Sequence, residues 1–445
     1  MRGFRKLAAV VAVGLVAPMI AGTVAPARAE EPAEISMWLD TTSGAEGAEC
    51  IAKAAIDPFN ALGNGVTVKA TMQANNWDAT RTALAGGAGP DIVGTPGPSF
   101  AIQLALAGNL AELDDFAKEY AWADRFASNS LNLGKANGKL YSIPSEIETL
   151  VLYYNKNLFE ANGWEVPQTM DELMTLAQTI SDAGIIPFAH ANAEWRPANE
   201  WFVGEFLNNG AGQEKVYQAL TGEIPWTDEA FVGPLEMLST MQKNGWFMGG
   251  LDRYYTTTFP EAGAALGDGD AAMKIEGTWF VEDVNNYFGE AAGNENDWGW
   301  SHVPSADGSA GYTLGIGQTY SINANSKNKE GAAKFLDFYF NPETQARLLS
   351  DCGIAAAPVD MAGQDLSAVD PRLTEMLASL NEAYANNKYG YTTWTFWPSE
   401  TETYLIEEVE KVWSGDMTVQ EYLAGMQEKF DAEKAAGALP PLPAR

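Results

Sequence analysis

Three short stretches of this chain set carboxylates beside tryptophans. They are Glu276-Gly277-Thr278-Trp279, Glu194-Trp195-Arg196 with Trp201 close behind, and the loop Thr392 to Glu400 with Trp394, Trp397 and Glu400. An indole offers a flat, rigid platform to apolar C–H faces, while carboxylates and amides satisfy hydroxyl groups. The combination suits a polyhydroxylated ligand. The same groups could also cleave a glycosidic bond if two acids stood about 5–10 Å apart across it. Glu276 with Glu146 or Glu400 is the pair that a secreted glycoside hydrolase would then use. Packing competes with both roles: Trp279 could sit in the helix that begins there, and helix-core burial explains Trp201 equally well.

Other chemistry finds little support. His190 and His302 are the only histidines, and no H-E-x-x-H pattern occurs. Asp307 to Gly311 has Asp where a nucleophile elbow needs Gly, and Gly86 to Gly89 lacks the Lys-Ser/Thr of a phosphate loop. Gly315-Ile316-Gly317 lacks the third glycine of a dinucleotide fingerprint and reads as a backbone turn. Asp268-Gly269-Asp270 is followed by no calcium loop, so it too reads as a turn. Neither cofactor nor metal is expected.

The elements that must position the acids and tryptophans alternate strand and helix, which predicts an α/β fold. Ile35, Met37 and Leu39 alternate in a first strand, and Val66, Val68, Ala70 and Met72 in a second. Helices are expected over 45–62 and 78–85, and a short strand at Asp91-Ile92-Val93 follows the glycines of 86–89. Ligands of α/β sheets meet the chain beyond strand ends. That rule selects Asp40 and Thr42 after the first strand, Asn76 and Trp77 after the second, and Ser99 after the third. Thr149 to Tyr154 is a β-branched and aromatic run suited to a buried strand, and Asn162-Gly163 is a turn. Thr169 and Glu172 form a capping box for a helix with Leu173, Leu176, Ala177 and Ile180 on one face. Ala271 to Ile275 and Tyr320 to Ile322 read as further strands. Asn341-Pro342 caps and starts a helix. Ser399 and Glu402 form a second expected capping box, for a helix with Leu405, Val409, Val412 and Trp413 as its buried stripe. The Pro- and Ala-rich tail after Gly437 is expected to fray.

Three motifs in order carry a family resemblance: Gly138-Lys139-Leu140-Tyr141-Ser142-Ile143-Pro144, Tyr153-Tyr154-Asn155-Lys156-Asn157-Leu158-Phe159, and Pro167-Gln168-Thr169-Met170-Asp171-Glu172-Leu173. They resemble the extracellular solute-binding proteins of bacterial ABC sugar importers, the maltose-binding-protein-like family. The likeness covers nearly the whole chain beyond the leader and is weakest near 196–226 and 285–298. It implies two α/β lobes, a hinge and an interlobe ligand cleft: a two-lobed periplasmic-binding-protein fold. With no Pro/Ser linker to separate halves, the lobes are expected to be discontinuous: residues 30–143 with 309–354, and 144–308 with 355–445. Crossings are placed near 140–145, 305–312 and 354–358. By the same resemblance Trp279 stacks on a sugar, Trp195 follows the strand that ends at Pro187, and Glu146 and Glu148 lie at the cleft floor. The implied function is capture of a mono- or oligosaccharide, without turnover, for a membrane permease. The many tryptophans suggest room for more than one ring.

The first residues read as a secretory signal at 1–29: Arg2, Arg5 and Lys6, then the apolar Leu7 to Ile20, then Ala27-Arg28-Ala29. No cysteine lies near that cleavage site, so no lipid anchor is expected, and a free periplasmic or secreted monomer is. The full chain carries a net charge of −32, and loss of the leader's four basic residues takes it to −36. That field repels nucleic acid and anionic membrane surfaces. Cys50 and Cys352 are the only thiols. An oxidising compartment favours a disulfide between them over two separate buried thiols.

Overall fold

A computed structural model describes residues 33–41, 45–127 and 130–443. The expected signal segment and Thr42 lie outside them. Fourteen strands are described: β1 (Ala33–Asp40), β2 (Val66–Gln73), β3 (Ile92–Thr95), the hairpin β4 (Lys135–Ala136) and β5 (Lys139–Leu140), β6 (Ser142–Pro144), β7 (Ile147–Glu148), β8 (Leu150–Asn155), β9 (Ile186–Phe188), β10 (Ala271–Gly277), β11 (Trp298–His302), β12 (Thr313–Ile316), β13 (Thr319–Ile322) and β14 (Gly390–Tyr391). They form two main sheets and a small one between them. The first runs β2-β1-β3-β13-β6, the second β11-β8-β10-β9, and the small one β14-β12-β7. The chain leaves the first sheet at β6, adds β7 to the small sheet and enters the second at β8. It returns from β11 through β12 to β13. Residues after Cys352 make a third passage beside β7, where Ile147 N–H donates to Ala356 O at 3.1 Å.

Each main sheet has its own apolar core. Ile35, Met37 and Leu39 point into the first, as their alternation predicts, together with Phe335, Leu336 and Tyr339 of the helix Lys329–Tyr339. The second strand keeps its alternation only in part. Val68 is buried but Met72 is 43% exposed, because β2 is an edge strand with helix cover over only part of its length. In the second sheet β8 and β10 are central, and every residue of β10 is buried. A Lys and a Glu in such a strand must satisfy each other.

Local chemistry sets most helix ends. Thr169 accepts from Glu172 N–H while Glu172 accepts from Thr169 N–H, the expected capping box. Asn341 caps Pro342–Cys352 through Thr344 N–H at 2.8 Å. Gly163 ends the helix Lys156–Asn162 at φ 67°, a left-handed position that glycine takes without steric cost. The box expected from Ser399 and Glu402 does not form. Pro398 occupies the cap, and the carboxylate of Glu433, from the antiparallel helix Val419–Ala436, accepts from Glu400 N–H and Thr401 N–H at 2.9 Å each. Glu402 turns inward and is buried. A tertiary partner outcompetes the local one. Nor does the tail fray as expected: Leu439 and Leu442 pack against the second core.

Cys50 and Cys352 form a disulfide with Cα atoms 5.7 Å apart, joining the helix Glu46–Ile51 to the end of Pro342–Cys352 across 302 residues of sequence. Closing so long a loop restricts the unfolded chain, so the paired change Cys50→Ser/Cys352→Ser is expected to cost about 2–4 kcal/mol. Urea unfolding of parent and variant would show it; equal midpoints would exclude a stabilising bridge.

Candidate functional site

The ends of the two main sheets face each other across a cleft floored by the small sheet. Two connected cavities lie there, with volumes of about 290 and 180 Å³. From the first sheet, β1 ends at Asp40, and the turn after β2 presents Asn76 and Trp77 at the start of the helix Asn76–Ala85. From the second sheet, β10 delivers Glu276 and Trp279, while the segment after β9 supplies Trp195 and Trp201. Trp394 comes from the one-turn helix Thr393–Phe396.

The tryptophans form two aromatic walls. Trp279 packs 5.3 Å from Trp201 and 5.9 Å from Trp394, between ring centres. On the other wall Phe100 lies 4.9 Å from Trp77 and 6.2 Å from Trp195, so it links the two sides of the cleft. Trp279 is fixed by its own strand: its indole N–H donates to Glu276 Oε1 at 2.8 Å. The other oxygen of Glu276 pairs with Lys274 Nζ at 2.7 Å, and both side chains are only 2% exposed. Trp394 also lines the cavity, yet its indole N–H meets no acceptor in the protein.

Glycines make the floor possible. A Cβ on Gly317 would lie 1.7 Å from a carboxylate oxygen of Glu148, so the absent side chain is where that carboxylate sits. A Cβ on Gly277 would lie 2.1 Å from the Trp279 ring. Gly277 thus makes space for a wall residue and does not line the cavity itself.

The floor is acidic. Burial pushes Glu146 up to about 7 and Glu148 well above the usual carboxylate range, where the neighbouring Glu146 charge raises it further. Glu282 is likewise held well above it by burial and then by Glu146, and Asp283 is raised to about 6 by burial and then by Glu46. Outside the floor, burial raises Glu200 to about 7 and Glu205 to about 8. His190 is pulled down to about 3 by burial and then by Lys274.

These shifts give a sign for stability. A carboxyl raised in the fold stabilises most below its unfolded value of 4.5 and loses that contribution as pH climbs through 7–8. His190 acts oppositely, losing its contribution as pH falls from 6.5 towards 3. The carboxyls outnumber it, so the urea midpoint is expected to be higher at about pH 5 than at about pH 8. A higher midpoint at the alkaline end would contradict the buried-acid reading.

Of the residues selected from sequence, the cleft brings together Asp40, Asn76, Trp77, Glu146, Glu148, Trp195, Trp201, Glu276, Trp279 and Trp394. Three others are placed elsewhere. Ser99 is buried and donates to Trp397 O at 3.0 Å. Trp397 is fully buried, 5.4 Å from Trp226. Glu400 is exposed on the first turn of Ser399–Ser414. Both tryptophans of this aromatic loop are buried, and of the two Trp394 lines the cavity. Sequence reasoning missed Glu282, Asp283, Glu200 and Gly317. Glu282 and Asp283 lie one helical turn beyond Trp279, a spacing that could have flagged them. Gly317 was read only as a turn.

Among the described residues, no group of three or more His, Cys, Asp or Glu is arranged to hold a metal ion, and no helix is long and apolar enough to cross a membrane. A family model described as "Bacterial extracellular solute-binding protein" matches residues 54–375. The alpha-glucosides-binding periplasmic protein AglE of Rhizobium meliloti (strain 1021) is 31% identical over 45% of this chain and 46% of its own length. The galactooligosaccharide-binding protein of Bacillus subtilis (strain 168) is 26% identical over 57% of each. The chain thus spans about half the length of these relatives. A solved chitin oligosaccharide binding protein superposes with TM-score 0.75 at 19% identity, over 91% of this chain and all of that one. At that identity the likeness shows the fold, which is two-lobed.

Proposed function

The chain belongs to the bacterial extracellular solute-binding proteins, and from this we propose that it captures a saccharide between its two lobes and hands it to a membrane permease of the ABC type. The single observation that carries the proposal is the cleft, where five tryptophans, Trp77, Trp195, Trp201, Trp279 and Trp394, converge on buried carboxyls. Flat apolar faces with hydroxyl-binding groups between them match sugar rings. The indole N–H of Trp394, a residue of this wall, is buried without a protein acceptor. We assign residues 33–143 with 319–354 to one lobe and 150–302 with the C-terminal helices to the other. β7, β12 and residues 354–358 form the hinge between them. Ligand would bridge both lobes and draw them together, an equilibrium shift that needs differential affinity and no chemistry. A monomer working outside the cytoplasm, in the periplasm or beyond, fits this role.

The hydrolase reading needs an acid free to exchange a proton, and both oxygens of Glu276 are engaged by Lys274 and Trp279. Calorimetry and intrinsic tryptophan fluorescence against mono- and oligosaccharides test the proposal. Saturable binding with no reducing-sugar release is expected. Release of reducing sugar from an oligosaccharide, or silence across the panel, would reject it.

A further inference from the structure

We propose that the turn Gly97–Phe100 of the first lobe is a clasp on the second, with Ser99 and Phe100 as positioning residues for ligand. Neither is among the residues that line the cavities; they act by holding the tryptophan walls. This rests on the saccharide reading above and adds how the lobe angle and the geometry of the walls are linked.

The helix Pro98–Leu106 packs in two directions. Ala101, Ile102, Leu104 and Ala105 are buried with Leu84 and Val93 in a small apolar cluster of the first lobe. Phe100, one residue earlier, instead joins the apolar core of the second sheet. The opening turn reaches across between the lobes. The Ser99 hydroxyl donates to Trp397 O at 3.0 Å, and both residues are buried. The Phe100 ring lies 6.2 Å from that of Trp195. Gly97, at φ 121°, leaves no room for a side chain: a Cβ there would stand 2.8 Å from both Cδ1 and the carbonyl oxygen of Trp394. The turn is also tied back to its own lobe, where the Thr95 hydroxyl donates to Gly97 O at 3.2 Å.

The walls depend on this turn unequally. Trp279 is tied by Glu276 of its own strand, whereas the indole N–H of Trp394 has no acceptor in the protein. Packing places the Trp394 ring. Gly97 lies against one edge, Trp279 is 5.9 Å away, and a Cβ on Gly315 of β12 would lie 2.9 Å from its Cζ2. Rotation about β7 and β12 that opens the cleft draws Gly97 and Ser99 away from residues 394–397. It breaks a buried hydrogen bond, which is costly when the freed groups find no other partner. It also removes one support from Trp394 and, through Phe100, one from Trp195. A sugar stacked on both walls therefore binds the clasped arrangement better than the open one, and that difference in affinity closes the lobes. Walls already set by the clasp lose little freedom when ligand arrives.

Ser99→Ala tests this, because the residue lies outside the cavities and alanine suits a helix. Calorimetry on the secreted full chain, with the tightest-binding sugar of the panel, is expected to give a Kd about 3- to 10-fold higher than the parent's, the equivalent of one net hydrogen bond made only in the clasped arrangement. Small-angle scattering without sugar should give a larger radius of gyration, as more of the population opens. Phe100→Leu keeps apolar volume and should move both readings the same way; it decides the matter should Ser99→Ala not fold. Ser99→Ala combined with Trp394→Phe should weaken binding by less than the product of the single factors, since both act on one wall. A lower melting temperature with unchanged Kd and radius would reduce the turn to ordinary packing. That result, or factors that simply multiply, would overturn the clasp and leave the saccharide reading intact. If no sugar of the panel binds the parent, the saccharide reading fails, and the scattering decides the clasp by itself.

Discussion

Lys274→Met is expected to destabilise the protein by about 3–5 kcal/mol, the usual result of removing one partner from a buried ion pair. Lys274 and Glu276 are two residues apart on β10, so both point to the same face of a strand that is buried along its whole length. Nζ stands 2.7 Å from Glu276 Oε2, and the ammonium also lies 5.6 Å from the ring centre of Phe280 and 5.9 Å from that of Phe259. Methionine fills much of the same space, so lost packing contributes little. What remains is a carboxylate in an apolar site with one neutral donor, the Trp279 indole. Adding Glu276→Leu should recover a large part of the loss, since replacing both members by apolar residues is often neutral or better. Urea unfolding of the single and double variants checks both statements. A single variant within about 1 kcal/mol of the parent would mean that water reaches the pair.

Trp279→Ala is expected to weaken ligand binding by about 2–4 kcal/mol, or roughly 30- to 1,000-fold in Kd, the range of a buried aromatic hot spot. The ring is half-buried, held by Glu276 and flanked by Trp201 and Trp394. It is therefore pre-set before ligand arrives, and little conformational entropy is lost when a sugar stacks on it. The fold should survive, because Glu276 keeps its ion pair with Lys274. Calorimetry with the best ligand of the panel, alongside a melting curve, separates the two effects. A tenfold change or less with unchanged melting would move the stacking role to another indole.

Local features were read correctly where neighbours in sequence settle them. The Thr169–Glu172 box and the Asn341-Pro342 start involve groups three residues apart, so the chain brings them together whatever the rest does. The helix Asn76–Ala85 begins two residues before its expected start, because Asn75 takes a left-handed turn at φ 49°. The failures share a cause. Ser399 and Glu402 had the right spacing for a capping box, but Glu433 arrives from another helix with two oxygens for the same orphan N–H groups. Glu402 was then free to turn inward, beside Glu200. Trp394 and Trp397 have the same local wording, yet one reaches the cleft and the other packs on Trp226.

Sequence alone determined the family and the α/β character and selected ten of the residues that line the cleft. Each follows from order or periodicity along the chain, or from what lies beyond a strand end. The pairing of Cys50 with Cys352, only favoured by the expected compartment, was decided by the fold. Tertiary structure alone decided which carboxyls become unusual. The family resemblance puts Glu146 and Glu148 at the cleft floor, but only their burial beside each other over Gly317 raises their protonation range. It also decided that Glu276 is held as an ion pair while Glu148 is left without one, since desolvation and distance are properties of the fold and not of spacing.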